Sequence, residues 1–192
     1  SIFCLILAAL LGLGLAFFCF QFVVDGGDWA SYPYNRHLYN TSGQLKGGTI
    51  LDRDGDMLST LDEDGNRIYN DDAAVRRATL HAVGDKNGNI GAGALTSFAD
   101  KLSGYNLLTG VYSPLGTGNS LYLTIDAYLN NVAYQALNGM NGTVGVYNYK
   151  TGEILCMVST PTFDPANPPD IAADDPAWDG VYVNRLLSAN SI

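Results

Sequence analysis

The sequence predicts an α+β chain: one N-terminal transmembrane helix, a small α/β unit, then the first helix and β-hairpin of a larger sheet-and-helix domain. Three observations predict this. Ile2 to Val24 is a run without a charge. Two Asp-Gly pairs, Asp54-Gly55 and Asp64-Gly65, separate short apolar runs. From Asn119 to Pro165 the pattern changes from strand to helix to two apolar runs around a polar loop.

The N-terminal run would make about 34 Å of helix at 1.5 Å per residue, enough to cross a ~30 Å hydrocarbon core. A cleaved signal peptide would carry a shorter apolar region and a small-x-small cleavage site. Leu15-Ala16-Phe17 supplies no such site. Trp29, Tyr32 and Tyr34 follow where an interfacial aromatic belt belongs, and Asp25 and Asp28 agree with an exit away from the cytoplasm. Residues 1–24 are therefore expected to be a single-pass anchor in contact with lipid through Ile2–Val24, with the chain after about Asp25 extracytoplasmic.

Residues 25–47 are expected to be a connector, since Ser31 to Gln44 is polar and turn-rich. His37 beside Asn35-Arg36 reads as an ordinary loop histidine. Gly48 to Leu58 reads as strand, Asp-Gly turn, strand, with a second hairpin at Asp64-Gly65, because both turn positions tolerate positive φ. Asp52, Asp54, Asp56 and Glu63 fall at positions 1, 3, 5 and 12 of a calcium loop. The glycine is at position 4 rather than 6, so these read as turn residues. Asp72 to Leu80 is expected to be a helix capped by Asp71 or Asp72, and Ala94 to Leu102 a second helix. Gly91-Ala-Gly93 lacks the third glycine and the Lys-Ser/Thr pair of a phosphate loop.

Leu121 to Ile125 reads as a strand and Asp126 as the cap of the next helix. Leu129, Val132, Ala133, Ala136 and Leu137 give that helix one apolar face, with Gly139 and Gly142 as its stop. Thr143–Asn148 and Glu153–Ser159 flank Tyr149-Lys-Thr-Gly152 as a hairpin expected to be buried on both faces, ended by Pro161. Tyr182 to Ser188 is expected to begin a helix. The Asn141-Gly-Thr143 sequon is discounted, because a buried strand comes at once after it.

The net charge of −9 and the scattered basic residues argue against nucleic acid or anionic lipid held by charge. The three cysteines, Cys4, Cys19 and Cys156, offer neither a disulfide framework nor a zinc pattern and read as spectator thiols. No metal or other cofactor is expected.

At Gly118-Asn119, Leu121, Leu123-Thr-Ile-Asp126, Lys150-Thr-Gly-Glu-Ile-Leu155, Met157-Val-Ser159 and Pro161-Thr-Phe-Asp-Pro165 the chain resembles the opening of the transpeptidase domain of class B penicillin-binding proteins. Tyr182-Val-Asn-Arg185 fits the lead-in to that family's catalytic segment. Spacing and order agree over roughly seventy residues. Gly48-Thr-Ile-Leu-Asp-Arg-Asp-Gly55 and His81-x-Val-Gly84 are similar to the family's non-catalytic pedestal, but Gly47 stands where the family has an arginine; Lys46 is the candidate substitute. The resemblance implies a pedestal over 48–117, with Tyr105 to Gly118 as linker, and the start of a transpeptidase domain of α/β/α sandwich type over 118–192.

It further implies a bacterial cell-wall enzyme. A serine would be acylated by the D-Ala-D-Ala end of a peptidoglycan stem peptide, β-lactams would bind by the same acylation, and a membrane-embedded glycan polymerase would be a partner. The nucleophile of such enzymes sits in Ser-x-x-Lys, where i and i+3 share a helix face and the amine can take the serine proton. The residues three before Lys46, Lys86, Lys101 and Lys150 are Gly43, Val83, Phe98 and Tyr147, so no catalytic residue is assigned within the chain. The pair is expected after Ile192, within about a dozen residues of Asn184. Ser191 is the weaker alternative. Lys150-Thr-Gly152 has the letters of the family's third motif but belongs to the hairpin turn. A non-catalytic anchored scaffold with the same fold is the rival reading, and a β-lactam sensor ranks below both.

Overall fold

The computed structural model describes residues 2–30, 43, 47–104, 118–172 and 175–188. Tyr32, Tyr34, Asn35-Arg36-His37, Lys46, the linker from Tyr105 up to Gly118 and Ser191 lie outside the described residues, Gly118 itself being described.

Helix α1 spans Ile2–Ala30, and Ile2–Gly26 is long and apolar enough to cross a membrane. No protein atoms cover its apolar length, and Cys4 and Cys19 are exposed on it. Gln21 and Asp25, one turn apart, hydrogen-bond near its polar end.

Strands β1 (Thr49–Leu51), β2 (Met57–Leu61) and β3 (Arg67–Tyr69) form the two expected hairpins. Asp52 Oδ1 accepts from the N–H groups of Asp54 and Asp56 at 2.9 Å each, which closes the first turn. Its Oδ2 accepts from Ala127 N–H at 3.1 Å, at the start of a helix 75 residues on. The carboxylate is thus consumed by structure rather than calcium. Strand β4 (Ser120–Tyr122) pairs parallel to β1 and completes the order β3-β2-β1-β4. The expected strand to Ile125 stops at Tyr122, although Ile125 remains buried.

Leu102 carbonyl accepts from Gly48 N–H at 3.1 Å and Asn119 N–H at 3.0 Å where β1 and β4 begin. A Cβ on Gly48 would lie 1.6 Å from the Asn119 carbonyl oxygen, so only glycine permits this approach. Buried Arg67 donates to the carbonyls of Gly47 and Gly48, the latter at 2.8 Å. Burial brings its pKa down to about 10. Arg67 of β3 thus places a basic group at this corner, while Lys46 lies outside the described residues.

Helix α2 (Ala73–Val83) is capped by Asp72, which accepts from Ala74 N–H at 2.8 Å. The single helix expected over Ala94 to Leu102 is two short ones, α3 (Ala94–Ser97) and α4 (Ala99–Ser103). Phe98 breaks them with φ −119° and ψ 27°, outside the helical range. Helix α5 (Ala127–Leu137) is capped by Asp126, which accepts from Leu129 N–H at 2.9 Å. Of the expected stripe, Ala133 is buried and Leu129 and Leu137 pack beside it against Cys156 and Val158, whereas Val132 and Ala136 face outward and Ala127 and Asn130 are buried instead. Asn138, in the left-handed region at φ 45°, ends the helix ahead of Gly139.

Strands β5 (Gly142–Tyr147) and β6 (Ile154–Thr160) form the antiparallel hairpin. Only β6 is buried. The expectation of two covered faces fails for β5, where Val146 is 39% and Tyr147 68% exposed, because β5 has no other strand neighbour among the described residues. The segment from Tyr182 forms turns instead of a helix, after a 3-10 turn at Pro176–Trp178.

One core joins both sides of residue 118: Ile50, Leu58, Val83, Leu95 and Leu102 pack with Ile125, Ala127 and Met157. Each such aliphatic side chain stabilises by about 1.5–3 kcal/mol on burial. Residues 119–192 expressed alone would lose most of this core, so circular dichroism should show no cooperative thermal transition where the whole chain shows one. Asp52→Asn should destabilise the whole chain by roughly 1–3 kcal/mol in urea titration, because the new amide would direct a donor at Ala127 N–H.

Candidate functional site

Among the described residues, buried strand β6 has one strand neighbour, β5. On the other side, α5 supplies side-chain partners. Asn130, fully buried, accepts from Met157 N–H at 3.0 Å and donates to Leu155 carbonyl at 3.3 Å and Asp126 carbonyl at 2.7 Å. Asp126 N–H adds a bond to Leu155 carbonyl at 2.9 Å. The amide of Asn130 therefore satisfies both kinds of backbone group that a neighbouring strand would.

Further along β6, Asn184 and Arg185 take over. Asn184, 3% exposed, donates to His81 carbonyl at 3.1 Å and approaches Met157 Sδ at 2.9 Å. Arg185 N–H donates to Ser159 Oγ at 3.0 Å, and its guanidinium donates to Thr160 carbonyl at 2.9 Å and Asp179 carbonyl at 3.3 Å. His81, on the last turn of α2, meets Val181 carbonyl through Nε2 at 2.7 Å. Burial lowers its pKa, with the charge of Arg185 acting in the same direction and the Val181 bond against it. A neutral ring donating from Nε2 fits that arrangement.

The loop after β6 is pinned to α2. Arg76 and Asp164 form a two-pronged ion pair, Nε to Oδ1 and Nη2 to Oδ2, both 2.6 Å. Thr162 Oγ1 donates to Arg77 carbonyl at 2.8 Å. Phe163 packs with Leu80, Ile90 and Val181, and meets the Tyr182 ring edge-on with centroids 6.1 Å apart. The hydrogen bonds from Arg76 hold the Asp164 carboxyl below its ordinary 3.8.

Ser159 sits at the centre of this arrangement, 1% exposed, bonded to Arg185 N–H and 3.3 Å from Thr143 Oγ1. No base is among these partners. Lys150 lies on the hairpin turn, outside this cluster, with Nζ 5.7 Å above the Tyr149 ring. An apolar groove of about 390 Å³ beside Met157 and Leu187 is lined by no charged side chain. Among the described residues no three His, Cys, Asp or Glu groups converge as metal ligands. Cys156 is buried, and burial raises its thiol pKa. The arrangement can position a segment; it holds no acid–base or nucleophilic constellation of its own.

Resemblance in the sequence singles out Asn184-Arg185 and Phe163-Asp164, and the structure brings them together on β6 and α2. His81, which the resemblance marks only as part of the pedestal, joins them, and Asn130 and Arg76 are organisers that the sequence pattern does not reveal. Asn130 is hidden because a polar residue interrupts an apolar stripe; a buried-side asparagine facing a strand is the available signal.

No protein-family model matches the chain. It is 48% identical over 48 residues to the peptidoglycan D,D-transpeptidase MrdA of Acinetobacter baumannii, a stretch covering 25% of this chain and 7% of that protein. The D,D-transpeptidase domain of a peptidoglycan glycosyltransferase from Eggerthella lenta is similar in fold, with TM-score 0.51 and 28% identity, over 73% of this chain and 32% of that one. PBPA from Mycobacterium tuberculosis shares the fold at TM-score 0.55 and 20% identity, over 73% of this chain and 36% of that one. The chain thus spans about a third of the solved relatives, and its match covers less than a tenth of the curated one.

In a double-mutant cycle, Arg76→Ala and Asp164→Ala should show a coupling of about 1–2 kcal/mol, since the pair is two-pronged and largely shielded. Because the carboxyl is depressed in the fold, its contribution is present above pH 3.8 and lost as pH falls below it. Urea midpoints of Asp164→Ala should accordingly fall less than wild type below that pH.

Proposed function

We propose, for a chain whose sequence and fold match the class B penicillin-binding proteins, that it forms the anchor, pedestal and opening of the transpeptidase domain of a bacterial peptidoglycan cross-linking enzyme. One observation carries the reading. Segments separated along the chain, Leu123–Asp126, Met157–Ser159 and Asn184–Arg185, meet at β6 while Phe163–Asp164 docks on α2, and they are the segments through which the sequence resembles that family.

In the proposed reaction, a serine hydroxyl downstream of Ile192 attacks the carbonyl of the penultimate D-Ala of a stem peptide. A lysine one helical turn on accepts the proton. The terminal D-Ala leaves as an amine, and the acyl group passes to an amine of a neighbouring stem. A β-lactam would acylate the same serine through its strained amide. Backbone N–H groups would hold the oxyanion. Residues 1–192 bind no substrate in this scheme: β6 and α5 carry the edge of the sheet, and Asn184-Arg185 fix where the chain leaves it.

Residues 1–24 would anchor the protein in the cell membrane, with 25–47 as connector, 48–117 as pedestal and 118–192 as the start of the catalytic domain. The pedestal would stand on the extracytoplasmic face, and α1 would be available to a membrane-embedded glycan polymerase.

The test is acylation. Full-length protein in detergent should be labelled stoichiometrically by a fluorescent penicillin at a serine in Ser-x-x-Lys, mapped by mass spectrometry, whereas residues 1–192 alone should take up no label. A full-length protein that folds but stays unlabelled would instead be a non-catalytic scaffold.

A further inference from the structure

We propose that Arg185 is a positioning residue for serine acylation, holding the chain that leads to the nucleophile in register with β6. This rests on the transpeptidase reading and goes beyond it by assigning a task to a residue that need not touch substrate. Three features of the geometry support it.

First, Arg185 joins three segments. Its N–H reaches Ser159 Oγ on β6, Nε reaches the carbonyl of Thr160 at the last residue of that strand, and Nη2 reaches Asp179 carbonyl after the 3-10 turn. Main chain and side chain are thus fixed to β6 by separate bonds, which sets both position and orientation of residue 185. Second, the neighbours reinforce that setting. Asn184 is seated on His81 carbonyl and Met157 Sδ, and its Oδ1 accepts from Leu186 N–H at 3.2 Å, which makes a local turn that lays Leu186 over Gly145 of β5. Third, the opposing turn leaves room for the guanidinium. Gly180 has φ +68°, and a Cβ there would stand 2.8 Å from Arg185 Nη2.

The consequence is geometric. Arg185 ties this segment to the end of β6, so its placement sets the position from which the chain continues toward the nucleophile. If that serine lies within about a dozen residues, a shift at Arg185 is carried to its oxygen, and a misplacement of about 1 Å costs up to about a hundredfold in rate. Loss of Arg185 would then slow the chemical step without changing how a β-lactam is first held.

The experiment uses the full-length protein and a fluorescent penicillin under single-turnover conditions. It reads the acylation rate constant, the half-saturating probe concentration, the final labelled fraction and the thermal midpoint. Arg185→Ala is expected to lower the rate constant by about ten- to a hundredfold, with half-saturation and final labelled fraction unchanged. Arg185→Lys should recover part of the rate, since an ammonium can still reach one carbonyl. Gly180→Ala crowds the guanidinium from the opposite side and should slow acylation in the same sense, which decides the matter should Arg185→Ala fail to fold. Lys150→Ala, on the exposed hairpin turn, should leave the rate constant as in wild type. A lower labelled fraction or midpoint with an unchanged rate constant in the folded fraction would mean a purely structural role and overturn the inference alone. A wild-type protein that is folded but never labelled would overturn the transpeptidase reading, and the inference with it.

Discussion

The edge of strand β6 is the constraint around which the molecule is arranged. A buried strand with one strand neighbour leaves half of its backbone groups to find other partners, and an unpaired buried group costs about 1–3 kcal/mol. Helix α5 covers the first part of that edge with its own N-terminal N–H and the amide of Asn130. The segment at Asn184 and Arg185 holds the end of the strand through the side chains of Met157 and Ser159 and the carbonyl of Thr160. Strand β5, whose outer side is open, shows the contrast: its side chains are largely exposed.

The same constraint links the chain on the two sides of residue 118. To sit against β6, α5 must be held at its N-terminus, and one of the bonds holding it comes from Asp52 in the first β-turn. Placing β4 beside β1 requires the close approach that Gly48 allows. Helix α2 then lies where Leu80, His81 and Arg76 meet the loop after β6. Three carboxylates, those of Asp52, Asp126 and Asp164, each tie distant or successive parts of the backbone together. An acidic composition is therefore partly a composition of caps and turns, and only partly surface charge.

Much of the fold was legible in the sequence because local physics decides it. The Asp-Gly hairpins, the Asp72 and Asp126 caps and the long apolar helix arise from φ preference, orphan N–H groups and length alone. The break at Phe98 was not legible, since Ala94 to Leu102 has a continuous helical pattern and the interruption appears only when the segment packs. The stripe on α5 differs from its pattern for a related reason: hydrophobic periodicity ranks Val132 above Asn130, and only the position of β6 reverses that order.

By itself, the sequence determined the hairpins, the capped helices and one helix long and apolar enough to cross a membrane, and through its motifs which family the chain resembles. It also determined that no Ser-x-x-Lys pair lies within the 192 residues. Tertiary structure decided which polar side chains organise the molecule. Arg76 finds Asp164 across 88 residues, His81 finds Val181 across 100, and Asn184 finds His81 across 103. The energy of such a contact depends on burial and on the geometry of both partners, and neither exists until the intervening chain has folded.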